Sequence, residues 1–325
     1  MNQLPLLGVT IGDPAGIGPE IVLAAAARAD VRAVCRPILI GDLAHLRRTV
    51  EAIGLDATVV AYHGDNAAPD AIEVIQSGAV DSDLAWGEES AQGGQAAYEA
   101  IVTGVELAQA GQIASLVTAP ISKTALKMAG HGSQGHTELL AELTDSPWSL
   151  TYFTVAQLRV LFLTRHLSLR GAIDSIDQAM VVRTIERFCE VSDRVGLPQP
   201  RIALQALNPH AGEGGLFGHE EIEILAPAVA QARQRGYDVY GPVPADSVFA
   251  LALQGRYDVV LSLYHDMAAG ICKSIDFHGT VSTTLGLPFL RFSVDHGTAF
   301  DIAGKGVADS RNMAETLKVA ASYAA

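Results

Sequence analysis

The chain has 325 residues, 49% of them hydrophobic and 18% charged, so it can bury a large core and is not a disordered chain. Its net charge of −14 and its lack of any long Lys/Arg cluster argue against general nucleic-acid binding, while a small, locally basic site for an anion stays open. Length alone suggests about two lobes. Three widely spaced cysteines (Cys35, Cys189, Cys272) form no Cys-x-x-Cys pair and point to reduced thiols. The opening MNQLPLLGVTIGDP has no basic region before its apolar run, and no charge-free apolar stretch reaches about 18 residues. A cytoplasmic protein without a signal peptide or membrane span is therefore expected.

Strand-length apolar runs alternate with segments of helical period. LLGVTI (6–11) predicts a strand, and GDPAGIGPEI (12–21) a loop leading into a helix over 20–29. Pro19 suits the first helical turn. Gly16 and Gly18 either let the backbone approach an anion at the helix N-terminus or simply make a tight turn. The loop is neither a Rossmann nor a Walker fingerprint, because Ile21 stands where a third glycine belongs and no Gly-Lys-Ser/Thr follows. A further strand is predicted over 36–42, then a surface excursion at 62–71 and a helix over 96–111. Strands follow at 114–121, 158–164, 201–207, 258–264 and 288–294, with helices over 180–196 and 219–236. Such alternation, with near-continuous apolar strands, predicts an α/β fold around buried, largely parallel sheet.

Three of the ten histidines stand out by position. His166 follows LRVLFLTR, His210 follows RIALQALNP and His265 follows DVVLSLY, each just past a buried-type strand. Open α/β sheets bind ligands beyond the carboxyl ends of their strands. Three imidazoles gathered there suit zinc or a similar divalent ion, which would stabilise a developing oxyanion. The plainer alternative is that each caps a strand. Asp246 reads as a helix cap or a functional acid, and Thr137 as a cap or, with His136, a substrate contact. Lys273 reads as a surface charge or a ligand. Arg291 lies inside the apolar run PFLRFSV, where an unpaired guanidinium is costly, so an anionic ligand or acidic neighbour is expected. Asp295 and His296 occupy a polar turn after that strand.

Taken together, GDPAGIGPEI, TAPISK, GHTELLAELT, LTRHLSLR, NPHAGEGGLFGHEE, GPVPADSVF, YHD, TLGLPFLR and SVDHGTAFDIAGKG resemble the 4-hydroxythreonine-4-phosphate dehydrogenase family of vitamin B6 biosynthesis, over nearly the whole chain. The resemblance implies a two-lobed isocitrate/isopropylmalate dehydrogenase-like α/β fold, with approximate lobes 1–130 plus 295–325, and 131–294. It implies a non-Rossmann nicotinamide site and an active site between the lobes at a homodimer interface. His166, His210 and His265 would hold a divalent metal, with ligands from both subunits: zinc first, magnesium or cobalt as alternatives. His136, Thr137, Lys273, Ser282 and Arg291 would contact a small anionic substrate. Gly12, Asp13, Gly16, Asp295 and His296 are the candidates to meet NAD or NADP, and Lys273, Asp246 and Asp266 the candidates for general base.

The expected reaction is a metal-assisted oxidation, with decarboxylation, of 4-hydroxythreonine 4-phosphate or a close analogue. One departure bears on the substrate: Ser282 stands in VSTTLGLP where the family pattern has Asn, replacing an amide by a hydroxyl with a single donor. Related substrates are therefore rivals, namely phosphorylated threonate or erythronate and cis-dihydrodiol carboxylates. A phosphate acyltransferase of similar fold, or a non-catalytic sensor, is the rival from another class.

Overall fold

The Val-, Ile- and Leu-rich runs become strands, as stiff β-branched side chains favour. In chain order these are β1 (Leu6–Thr10), β2 (Arg36–Gly41), β3 (Val59–Ala61), β4 (Ile72–Gln76), β5 (Ser115–Thr118), β6 (Leu150–Val155), β7 (Leu158–Phe162), β8 (Ile202–Gln205), β9 (Val239–Val243), β10 (Val259–Ser262), β11 (Val281–Leu285) and β12 (Arg291–Ser293). The helices are α1 (Gly18–Ala26), α2 (Ala29–Arg32), α3 (Leu43–Ile53), α4 (Ala91–Gln109), α5 (Lys123–Met128), α6 (His136–Leu143), α7 (Leu169–Ser175), α8 (Gln178–Val191), α9 (Ala226–Gln234), α10 (Ala245–Leu253), α11 (His265–Ile275) and α12 (Arg311–Tyr323). The computed structural model describes residues 4–64, 71–132 and 135–324. Most of the predicted excursion at 62–71 lies outside the described residues.

The chain divides into two units. The first comprises residues up to Ser149 together with those from Leu287 onward. Its six strands run in the order β3-β4-β2-β1-β5-β12, and every pairing between neighbours is parallel. Helix α4 lies along β1, β2 and β5, while α12 covers β5 and β12 and packs against α1. From β1 the chain winds outward through β2 and later returns to place β5 on the other side. The carboxyl ends of β1 and β5 thus form a topological switch point, where α/β sheets leave a crevice.

The second unit, Leu150–Gly286, has the order β11-β6-β7-β10-β8-β9. Strands β7, β10, β8 and β9 are mutually parallel, whereas β6 pairs antiparallel with both β7 and β11. Its core includes Phe153, Val160, Phe162, Val248 and Val260, with α10 and α11 packed on the sheet.

Every strand predicted from apolar runs is present, usually trimmed at its ends. Helix 20–29 begins earlier, at Gly18, with Pro19 in its first turn. The helix predicted over 96–111 starts at Ala91, because the Ser90 side chain accepts from Gly93 N–H and caps it there. The prediction over 219–236 resolves into a π-helical turn, Glu221–Leu225, followed by α9. Among the described residues all three cysteines are free thiols, and no helix is long and apolar enough to cross a membrane.

Candidate functional site

The three strands preceding the singled-out histidines are adjacent in the second unit, in the order β7-β10-β8. His166 follows β7, His265 opens α11 directly after β10, and His210 follows β8. The His166 and His265 rings meet edge-to-face with centroids 5.8 Å apart. An ion held at about 2.1 Å from a ring nitrogen sits roughly 3 Å from that ring's centre, so two rings sharing one ion stand about 5–6 Å apart. The separation of this pair is compatible with a shared divalent ion. Asp266 Oδ1 lies 3.4 Å from His265 Nδ1, placed to orient the ring by its second nitrogen. Among the described residues, no group of three His, Cys, Asp or Glu side chains closes on one point, so His210 does not complete the set within one chain.

His210 is exposed, on a turn of uncommon geometry. Residues 210–214 are all left-handed, with φ of 52° at His210, 54° at Ala211 and 45° at Glu213. A side chain in this region costs roughly 1–2 kcal/mol, so three in one turn need outside support. Buried Glu221 provides it: its carboxylate accepts from Leu207 N–H at 2.8 Å, Asn208 N–H at 2.7 Å and Asn208 Nδ2 at 2.8 Å.

The first unit supplies the buried cation. Arg291 opens β12 and is 5% exposed. Its Nε and Nη2 donate to the hydroxyl of Thr118 at 3.0 and 2.6 Å, from the neighbouring β5. Burial pulls this guanidinium down to about 9. His136 is the first residue of α6, and burial and then the Arg291 charge hold its pKa well below the imidazole range. It is neutral at pH 7, and its buried Nε2 has no hydrogen-bond partner. The cap reading of Thr137 fails, because Gly135 occupies the cap position and Glu138 Oε2 accepts the Gly135 N–H at 3.2 Å.

At the β1–β5 switch point the glycine loop presses on the chain's own backbone. A Cβ on Gly12 would run into Pro120 O, one on Gly18 into Ile11 O, and one on Gly16 would stand 3.0 Å from Thr298 O. Close packing on the chain's own backbone is therefore one constraint that keeps glycine at these three positions. Asp13 is fully buried; its Oδ1 accepts from Ala15 N–H at 3.0 Å while Oδ2 has no hydrogen-bond partner. Burial, reinforced by nearby Glu89, raises its pKa to about 6. Beyond β12, Asp295 N–H donates to buried Asn312 at 3.1 Å, and His296 keeps a buried Nε2 without a partner. Buried Glu20 on α1 accepts from Gly304 N–H, and from Gly306 N–H at 3.1 Å, tying the turn after β12 to the glycine-loop helix.

The remaining candidates lie in the second unit. Lys273 is half-buried in the last turn of α11, its ammonium 5.2 Å from the centre of the Phe277 ring. Asp266 is 89% exposed by side chain. Asp246 is exposed in the first turn of α10; its cap reading fails, since Pro244 holds the cap position with no side-chain bond. Ser282 is half-buried on β11 opposite Phe153. Sequence reasoning missed Thr118, Glu20 and Glu221. The only hint was an acid at the start of an apolar helix, which also suits a helix dipole.

A family model described as pyridoxal phosphate biosynthetic protein PdxA matches residues 33–320. A Symbiobacterium thermophilum protein named "Putative D-threonate 4-phosphate dehydrogenase" is 48% identical over 100% of this chain and 98% of its own length. The solved 4-hydroxythreonine-4-phosphate dehydrogenase of Klebsiella pneumoniae is 42% identical with a TM-score of 0.93, over 100% of this chain and 99% of that one. A terephthalate 1,2-cis-dihydrodiol dehydrogenase of Burkholderia xenovorans is 28% identical with a TM-score of 0.67, covering 98% of each chain.

Proposed function

The chain belongs to the PdxA family of pyridoxal phosphate biosynthetic proteins, a family of dehydrogenases acting on a CH–OH group, and from that premise we propose its substrate, cofactors and residue roles. The substrate is a four-carbon hydroxy acid phosphate, D-threonate 4-phosphate before 4-hydroxythreonine 4-phosphate. The observation that carries this is a guanidinium buried to 5% exposure at the end of β5, where Arg291 is held on the Thr118 hydroxyl at 3.0 and 2.6 Å and sets a positive charge suited to a phosphate. Ser282 and the 48% identical relative's name favour threonate, which has a hydroxyl where hydroxythreonine has an ammonium.

NAD or NADP supplies the two-electron oxidant, and a divalent ion, zinc before magnesium or cobalt, supplies positive charge against the oxygen being oxidised. His166 and His265 would hold that ion, with His210 contributed by a second copy in a homodimer. Five exposed apolar side chains support such a copy: Leu167, Leu169, Leu216, Phe217 and Ile222 lie on or beside the segments bearing His166 and His210. Arg291 and neutral His136, with Thr137, hold the phosphate end. Asp13, Asp295 and His296 flank the nicotinamide side, while Gly12 and Gly16 shape the loop. Lys273 is the foremost general base, half-buried and beside an aromatic ring; Asp246 and Asp266 are exposed, and Asp266 orients His265 instead. The carbinol hydrogen would pass together with its electron pair to a bound nicotinamide, and Lys273 would take the O–H proton. The resulting 3-oxo acid would lose its carboxylate as carbon dioxide, and the proton held by Lys273 would return to the carbon that carried it. Free thiols suit a cytoplasmic setting.

The test is reduction of NAD by the purified protein with Zn²⁺, Mg²⁺ or Co²⁺, against both phosphates and a cis-dihydrodiol carboxylate. Turnover of D-threonate 4-phosphate is expected, with Arg291→Met raising KM about 10–100-fold, as loss of a charged hydrogen bond implies. Turnover of the dihydrodiol alone, or of no substrate at all, would remove this assignment.

A further inference from the structure

We propose that Glu221 is a positioning residue that holds His210 in its metal-binding pose, an inference that rests on the metal reading above. Three observations carry it. The turn from His210 to Gly214 is left-handed at five successive residues, three of which bear side chains that disfavour that region. Local chain preference would relax this turn, so something outside it must hold it. Glu221 is the group placed to do so. It is 3% exposed, and its Oε1 accepts both Leu207 and Asn208 N–H groups, the two amides leading into the turn. Its Oε2 accepts from Asn208 Nδ2 at 2.8 Å, and that same amide nitrogen donates to Glu220 Oε2 at 2.7 Å.

The contact reaches into the turn itself. Gly212, with φ of +79°, packs so closely on the carboxylate that a Cβ there would stand only 2.9 Å from Glu221 Oε2. Glu221 sits on a π-helical turn rather than in regular helix, a local irregularity that sets where its side chain points. The carboxylate is thus spent on backbone donors two to three residues before His210, and has no need to touch a metal to govern where that imidazole stands. Groups that support a ligand in this way commonly alter metal affinity about 10–100-fold when removed.

The test uses Co²⁺ as probe on the full-length protein. Its affinity is read by competition with a chromophoric chelator and its geometry by the visible cobalt spectrum. Glu221→Gln keeps the shape but turns an amide NH₂ toward N–H donors. It is expected to weaken Co²⁺ binding about 10–100-fold, change the cobalt spectrum, and speed hydrogen exchange at Leu207 and Asn208. In a His210→Ala background the same substitution should cost no further affinity, a coupling that a general loss of stability would not produce. Gly212→Ala, which leaves the carboxylate in place but crowds it, should shift affinity in the same direction and covers the case in which Glu221→Gln does not fold. Wild-type affinity in Glu221→Gln or in Gly212→Ala, or equal losses with and without His210, overturns the inference alone. Failure of the wild type to bind Co²⁺, or indifference of binding to His210→Ala, overturns the metal reading and the inference together.

Discussion

Arg291 and Asp13 are two contrasting buried ionisable groups among the candidate residues. Arg291 lies within the apolar run PFLRFSV, so its burial to 5% exposure calls for polar partners, and the Thr118 hydroxyl is one of them. Asp13 is the mirror case, a carboxyl with one oxygen satisfied by Ala15 N–H and the other without a partner. With its pKa raised to about 6 from an unfolded value near 3.8, the folded state resists ionisation. The stability contribution is intact below pH 4 and is lost as pH rises from there to about 6, by roughly 3 kcal/mol at most. Relative to Asp13→Asn, the wild type should therefore lose stability across that window and hold a constant difference above it. Urea melts at successive pH values measure this, and a difference independent of pH would refute it.

At the scale of elements, close helix packing explains glycines that the helical period alone leaves puzzling. Gly94 sits inside α4, where alanine would normally gain about 1 kcal/mol in helix propensity. A Cβ there would run into the carbonyl of Ala125 on α5, backbone that cannot swing aside. The clash decides the sign. Gly94→Ala should destabilise the protein by about 2 kcal/mol or more, and a neutral or stabilising urea midpoint shift would refute the packing argument. The same scale explains which strands were illegible. Strands β6 (LTYFTV) and β11 (VSTTL) carry threonines that interrupt the apolar runs, β4 (IEVIQ) and β9 (VYGPV) are broken by polar residues or by Gly-Pro, and the three-residue β3 is too short to show a period. They belong to the sheets because tertiary pairing supplies partners, not because local hydrophobicity demands it.

For the whole molecule, the exposed apolar side chains of the His166 and His210 segments set the expectation. Leu216 is 72% exposed and Ile222 52%, exposures that one chain leaves uncovered beside two candidate ligands. Sedimentation equilibrium should return about twice the 34.1 kDa chain mass, and Leu216→Asp with Phe217→Ser should shift it toward the single chain. A monomeric wild type would remove the second copy, and with it the source of the third imidazole.

The sequence by itself determined the α/β class, the strands that precede each candidate histidine, and the family, because apolar runs, helical periods and ordered motifs are properties of neighbouring residues. It also marked Arg291, since a guanidinium in an apolar run is costly wherever the chain folds. Tertiary structure alone decided that β7, β10 and β8 are neighbours, which turns three scattered histidines into one end of a sheet. It alone decided that Glu20 and Glu221 are clamps on backbone amides, and that the loop glycines serve close contact with the chain's own carbonyls. The hydrogen bond from Gly306 to Glu20 joins positions 286 apart and that from Leu207 to Glu221 positions 14 apart, and the energy of each depends on burial that only the folded packing creates.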